Sequence, residues 1–142
     1  MEIPDRGFSS FEVMADEGLQ AWGGSMGEAF VNAARGMFHL LVDLESLRPT
    51  HSREVKVQAR DREGLLVAWL SELLFLFEVE EFLPAEYEIT DITDQRLEAR
   101  VQGDILDPAR HSLKGLIKAA TYHLLEVKEV AGRWQVQVVL DV

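Results

Sequence analysis

Apolar and polar positions divide this chain into segments of two periods. From Phe30 to Leu41 the apolar residues Phe30, Ala33, Ala34, Met37, Phe38 and Leu41 recur at the three-to-four spacing of a helix face. Ser25-Met26-Gly27-Glu28 precedes them with the residues of a capping box: the serine accepts a backbone N–H and the glutamate reaches back. A helix is therefore predicted from this point to near Asp43. A second helix is predicted over roughly Arg62 to Phe77, capped by Asp61. Its residues Leu65, Leu66, Trp69, Leu70, Leu73, Leu74 and Phe77 make so wide an apolar face that most of it must be covered.

The remaining segments alternate. Phe8 to Met14 and Gly18 to Trp22 read as strands around a turn at Ala15-Asp16-Glu17. His51 to Ala59 reads as a third, with Val55, Val57 and Ala59 on one side. Pro84 interrupts the chain. Tyr87 to Ile92 and Arg96 to Val101 then form a hairpin through Thr93-Asp94-Gln95. Leu113 to Lys128 reads as one long strand, and Ala131-Gly132 turns it into the last, Arg133 to Leu140. The order predicts an α+β fold with two helices and a largely antiparallel sheet.

Composition narrows the function classes. At 142 residues, 47% of them apolar, the chain can bury a core, and residues 1–142 are expected to form one domain. No run of apolar residues is long enough to span a membrane. The opening Met1 to Arg6 lacks the basic-then-apolar order of a leader. The absence of cysteine rules out disulfides and thiolate chemistry and fits a cytoplasmic location. A formal net charge of -11 argues against gripping nucleic acid directly, which requires Lys and Arg to displace counterions from phosphates.

Candidate chemistry gathers at Asp141-Val142. A carboxylate side chain and a terminal carboxylate there follow an alternating strand, and like charges so close repel unless a cation or donors separate them. Oxygen ligands of this kind suit Ca²⁺, Mg²⁺ or Mn²⁺. Strand parity sets Asp141 with Gln135, Gln137 and Val139, away from the Trp134 face. Lys118 shares a parity with Tyr122 and lies among Ile117, Ala119 and Ala120, where a lysine can meet a phosphate or a partner's acid. His39, His51, His111 and His123 have no metal-ligand spacing. No phosphate-binding loop or nucleophile elbow is present. Arg110-His111 lies in a loop, free to bond backbone carbonyls or a ligand. Asp16 with His123 or Lys118 could be drawn as an acid–base pair.

Several segments together resemble the archease family: Val13-Met14-Ala15-Asp16, Met26-Gly27-Glu28-Ala29-Phe30, Lys118-Ala119-Ala120-Thr121-Tyr122-His123 and Leu140-Asp141-Val142, with Arg110-His111 where that family often has such a pair. Order and spacing match over almost the whole chain. The resemblance implies a strand-helix-strand-strand type domain with an inserted helix-containing module. It further implies a protein cofactor, not itself an enzyme, for an RtcB-type RNA ligase of tRNA splicing. Such a cofactor promotes guanylylation of the ligase's histidine and multiple turnover. The resemblance also implies a divalent-cation site at Asp16, Asp141 and Val142, with Ca²⁺ first and Mg²⁺ or Mn²⁺ as alternatives, and a required lysine at Lys118. The chain departs from the family where Val13-Met14 replace His-Thr and where Glu17 replaces an aliphatic residue. Two other readings stand beside this one: an autonomous metal-dependent phosphoesterase using Asp16 and Asp141, and an acidic chaperone-like binding module.

Overall fold

The computed structural model describes residues 6–142. Met1–Asp5, which carry most of the leader expectation, lie outside the described residues. Strands β1 (Phe8–Val13) and β2 (Asp16–Gly23) form a hairpin, followed by helix α1 (Met26–His39). Then come β3 (His51–Gln58), α2 (Arg62–Glu80), β4 (Phe82–Ile92) and β5 (Arg96–Ile105). The chain closes with the short β6 (Ala119–Ala120), β7 (Glu126–Val130) and β8 (Arg133–Asp141).

These elements make two antiparallel sheets. One has the order β1-β2-β8, with β6 and β7 lying one after the other along the far side of β8. The other is β3-β5-β4. The segment β3-α2-β4-β5 is therefore a strand-helix-strand-strand unit inserted between α1 and β6, and the flanking segments close around it. The α+β class, with two helices and antiparallel strands, follows the expectation from sequence; the inserted unit itself has the strand-helix-strand-strand order that the resemblance gives to the domain.

Both helices form where the periodicity places them. Ser25 Oγ accepts the N–H of Glu28, and Asp61 accepts the N–H of Gly64 at 2.7 Å. Such a cap satisfies an N–H that the first turn otherwise leaves unpaired, worth about 1 kcal/mol. Each helix packs on one sheet and also reaches the other. That is how α2, apolar nearly all round, buries Leu65, Leu66, Trp69, Leu70 and Leu73 completely. The Trp69 indole N–H is not stranded in this core, because it donates to the Phe30 carbonyl of α1 at 2.9 Å. Phe38 of α1 meets Phe77 of α2 edge-on, with ring centroids 6.3 Å apart.

Several boundaries differ from the sequence reading, each for a local reason. Helix α1 stops at His39; Leu41 and Val42 both donate to the Phe38 carbonyl, and Asp43 instead caps a separate 3₁₀ turn at Leu44–Ser46. Helix α2 runs on to Glu80, and Glu81 ends it in the left-handed conformation at φ 56°. Pro84 does not exclude a strand. It lies on β4, whose only partner among the described residues is β5, beside a register shift between Pro84 and Glu86, where a missing N–H costs least. Strand β5 continues to Ile105 because Gly103 lets the Leu83 carbonyl approach: a Cβ there would sit 2.3 Å from that oxygen. The long strand predicted over Leu113 to Lys128 is broken. Residues 112–118 run irregularly, and Leu124, at φ 53°, separates β6 from β7.

Candidate functional site

The β1–β2 turn is tighter than the sequence suggested. Its two turn residues are Met14 and Ala15, both left-handed with φ of 45° and 76°, and Asp16 and Glu17 already belong to β2. A side chain pays a steric cost in that conformation, and Met14 in addition stands almost wholly in solvent. Gly18, read from the sequence as the start of the second strand, is the third residue of β2. It lies mid-strand, opposite Phe11, and a Cβ on it would come within 2.2 Å of the Phe11 ring. The missing side chain lets Phe11 lie across β2, on the face that also carries Val139, a buried residue opposite Gly18 on β8.

With Asp16 at the head of β2, register does the rest. Val13 pairs with Asp16, Glu17 pairs with Leu140, and Asp141 pairs with Ala119. Val13, Asp16, Asp141 and Ala119 thus form one row across four strands, their side chains on one face. Asp16 and Asp141 come from opposite ends of the sequence and become cross-strand neighbours. Both are part-exposed. Among the described residues neither carboxylate enters an ion pair or a side-chain hydrogen bond. Val142 follows directly, 38% exposed.

The fourth expected residue, Lys118, is tied to the corner through the main chain. The Lys118 N–H donates to the Asp141 carbonyl at 2.7 Å, and Thr121 donates both its N–H and its hydroxyl to the Val139 carbonyl. The Lys118 side chain is exposed, and the next residue, Ala119, pairs with Asp141, so the lysine lies one residue from the carboxylate row. Tyr122, 70% exposed, lines a groove against the start of α2 with Asp61, Gly64, Ala68 and Ser71. His123 is exposed and lies past the end of β6; no hydrogen bond or ion pair links it to Asp16. The drawn acid–base pair has no geometric support.

The chemistry of the corner fits a hard cation in kind. Its donors are carboxylate oxygens, unbalanced by any neighbouring cation among the described residues. Two side-chain carboxylates do not make a closed shell, and no group of three or more His, Asp or Glu side chains with metal-binding geometry occurs among the described residues. Further ligands would come from main-chain oxygen, water or another molecule.

A different charged group escaped the sequence reading. Asp104, at the end of β5, is buried at 3% exposure. Arg110 donates to both its oxygens, at 3.0 and 3.2 Å, and the backbone N–H groups of Arg48 and Ile105 complete the shell. His111 has no exposed side-chain surface. Its Nδ1 accepts the Asp107 N–H at 2.9 Å, which leaves the ring proton on Nε2, facing Asp104 at 3.1 Å. Burial alone would raise the Asp104 carboxyl, but the Arg110 hydrogen bonds, then the Arg48 N–H, outweigh it and hold the group at about 2. The Arg-His pair thus bonds a carboxylate, neither of the two partners considered for it. The available signal was a lone Asp near the end of an alternating strand, six and seven residues ahead of an arginine and a histidine.

An α+β chain with an inserted strand-helix-strand-strand unit and an acidic cross-strand row at one corner defines the class. The model of the archease protein family (MTH1598/TM1083) matches residues 8–142. Protein archease of Pyrobaculum neutrophilum is 38% identical over 135 residues, covering 92% of each chain. Protein archease of Methanosarcina mazei is 37% identical over 146 residues, covering 99% of this chain and all of its own. The solution structure of Methanobacterium thermoautotrophicum protein 1598 superposes with a TM-score of 0.80 at 31% identity, covering 96% of this chain and 99% of that one. The crystal structure of a Thermotoga maritima archease, described as a possible chaperone, has a TM-score of 0.65 at 19% identity over 100% and 98% of the two chains, and shows the shared fold. The chain belongs to the archease family.

Proposed function

We propose that this protein is an accessory factor of an RtcB-type RNA ligase and presents the Asp16–Asp141 corner to the ligase's nucleotide site. The observation that supports this most is the cross-strand row itself: two carboxylates from the two ends of the chain, set side by side without a counter-charge. Such an arrangement is costly in isolation and becomes useful when a cation bridges it. Asp16, Asp141 and Val142 would hold the ion, with Ca²⁺ first and Mg²⁺ or Mn²⁺ as alternatives. A bound divalent cation supplies positive charge where phosphoryl transfer builds negative charge. The incomplete shell leaves positions for oxygens of a nucleotide or of the ligase. Lys118, one residue from that row, would contribute a positive charge of its own. Its backbone bond to Asp141 ties the segment that carries it to the corner. The protein would make no covalent bond to substrate and would work in the cytoplasm. No helix of the described residues is long and apolar enough to cross a membrane.

The test is multiple-turnover RNA ligation by a matched ligase, with GTP and Mn²⁺, with and without this protein. Addition should convert single turnover into repeated turnover. Lys118→Ala and Asp141→Ala should fold normally and stimulate poorly. Wild-type protein that leaves turnover unchanged, or a Lys118→Ala variant as active as wild type, would overturn the assignment.

A further inference from the structure

Open strands at sheet edges invite pairing with another chain, and proteins guard them with charge, proline, bulges or shortness. The four edges here are not treated alike. Strand β3 carries Arg53, Glu54 and Lys56. Strand β4 carries Pro84, three acidic residues and two register shifts. Along the far side of β8, β6 is two residues long, and β7 holds Glu126, Lys128 and Glu129 in five. Strand β1, Phe-Ser-Ser-Phe-Glu-Val, has one charge, no proline and no register shift along its six residues.

The hydrogen-bond phase of that edge follows from its partner. Trp22 donates to the Gly7 carbonyl at 2.9 Å, so the odd-numbered residues of β1 turn their backbone groups toward β2. Phe8, Ser10 and Glu12 turn theirs outward. The Phe8 carbonyl is taken by Arg6 Nε at 3.1 Å. Ser10 and Glu12, both exposed, keep free N–H and C=O groups among the described residues. Glu12 also stands directly across from Glu17, and no ion pair of the described residues balances either one. Like charges in direct cross-strand register repel, and a cationic side chain on an added third strand would sit beside them.

We infer that β1 is a strand-addition site for an extended, basic segment of the partner protein, docked along Ser10 and Glu12 and leading to the Asp16–Asp141 corner. Main-chain bonds supply the affinity, and the Glu12–Glu17 pair selects for Lys or Arg. Continuity favours this course: Val13, the last residue of β1, belongs to the same row as Asp16 and Asp141. The chain's net charge of -11 favours a basic partner over a second copy. The identity of the partner rests on the ligase reading above; the edge and its chemistry do not.

The experiment measures equilibrium binding of the full chain to the matched RtcB-type ligase for wild type, Ser10→Ala, Ser10→Pro and Glu12→Lys. Ser10→Pro removes an outward N–H that β2 does not use and sets a ring against an incoming strand. It should weaken binding about tenfold or more while Ser10→Ala binds like wild type. Glu12→Lys turns the facing glutamates into an ion pair, so it should fold at least as well as wild type yet lose affinity. Backbone amides of Ser10 and Glu12 should exchange more slowly in the complex. Wild-type binding by a folded Ser10→Pro, or by Glu12→Lys, would overturn the inference and leave the ligase reading standing. No binding by the wild type would overturn the ligase reading first. A wild-type dimer that Ser10→Pro converts to monomer would assign the edge to a second copy and overturn the basic-segment assignment.

Discussion

Two sets of acidic residues in this fold receive opposite treatment. Asp104 is buried and surrounded: Arg110 grips both oxygens, His111 faces it, and two backbone N–H groups add to the shell. Asp16 and Asp141 stand side by side at a corner with no counter-charge among the described residues. A carboxylate wrapped in donors has its interactions completed inside the molecule and holds the chain in place. A carboxylate pair left unbalanced can be completed only from outside. The contrast separates a structural acid from one placed to meet an ion or a partner.

The largest effect that would sharpen the comparison lies at the buried site. Asp104→Ala leaves the Arg110 guanidinium without its main partner and strands the Arg48 N–H. It should cost about 3 kcal/mol or more in equilibrium denaturation. A loss well below this would place Asp104 with the corner acids and erase the distinction.

Acidity offers the next test. The folded-state carboxyl of Asp104, at about 2, lies below its ordinary value of 3.8. A depressed carboxyl stabilises the fold above its unfolded value and loses that contribution as pH falls through the folded one. About 2 kcal/mol is therefore present above pH ~4 and fades toward pH ~2. The stability gap between wild type and Asp104→Asn should shrink over that window in denaturant titrations at successive pH values. Gly18→Ala should cost about 1–3 kcal/mol, because its methyl group meets the Phe11 ring. A thermal melt with the smaller loss of an ordinary surface change would show that Phe11 swings aside freely.

The smallest effect is expected at the corner. Asp141→Ala should change stability by no more than about 0.5 kcal/mol in chelator, and it removes a repulsion rather than an attraction. In millimolar Ca²⁺ the wild type should melt higher, by mass action on the folded form, and Asp141→Ala should lose that rise. Equal cation-induced shifts in both proteins would end the case for a cation at this corner.

Sequence periodicity found both helices, with their caps at Ser25 and Asp61, because those signals are local. The chemistry of the residues paired Asp141 with Val142 and considered Asp16 and Lys118 apart from them, and the resemblance joined the four. Alternation could not show that Asp16 opens β2 in register with the end of β8. That depends on a two-residue turn built from Met14 and Ala15, residues that do not announce a left-handed turn. The broken strand after Lys118 was hidden for a similar reason. Leu124 takes φ 53° with nothing in its side chain to say so, and residues 112–117 find no strand partner among the described residues. The Asp104 group was illegible because its partners come from Arg48, Arg110 and His111, brought together only after β5 and its flanking loops have packed.

The insertion of β3-α2-β4-β5 between α1 and β6 also bears on how the protein is made. Residues 51–105 carry a complete antiparallel sheet and its helix in one contiguous stretch, so that unit can assemble as soon as it emerges during synthesis. The outer sheet cannot, because its central strand β8 is the last in the sequence, and Leu19 must wait for Val138. Until β8 arrives, β2 has no neighbour on that side, and α1, packed mainly on β2, lacks its contact with β8. Closing so long a loop is slow relative to local contacts. The interval before β8 joins is when nascent chains of this protein are most exposed to aggregation, and the step that ends it is the same one that sets Asp141 beside Asp16.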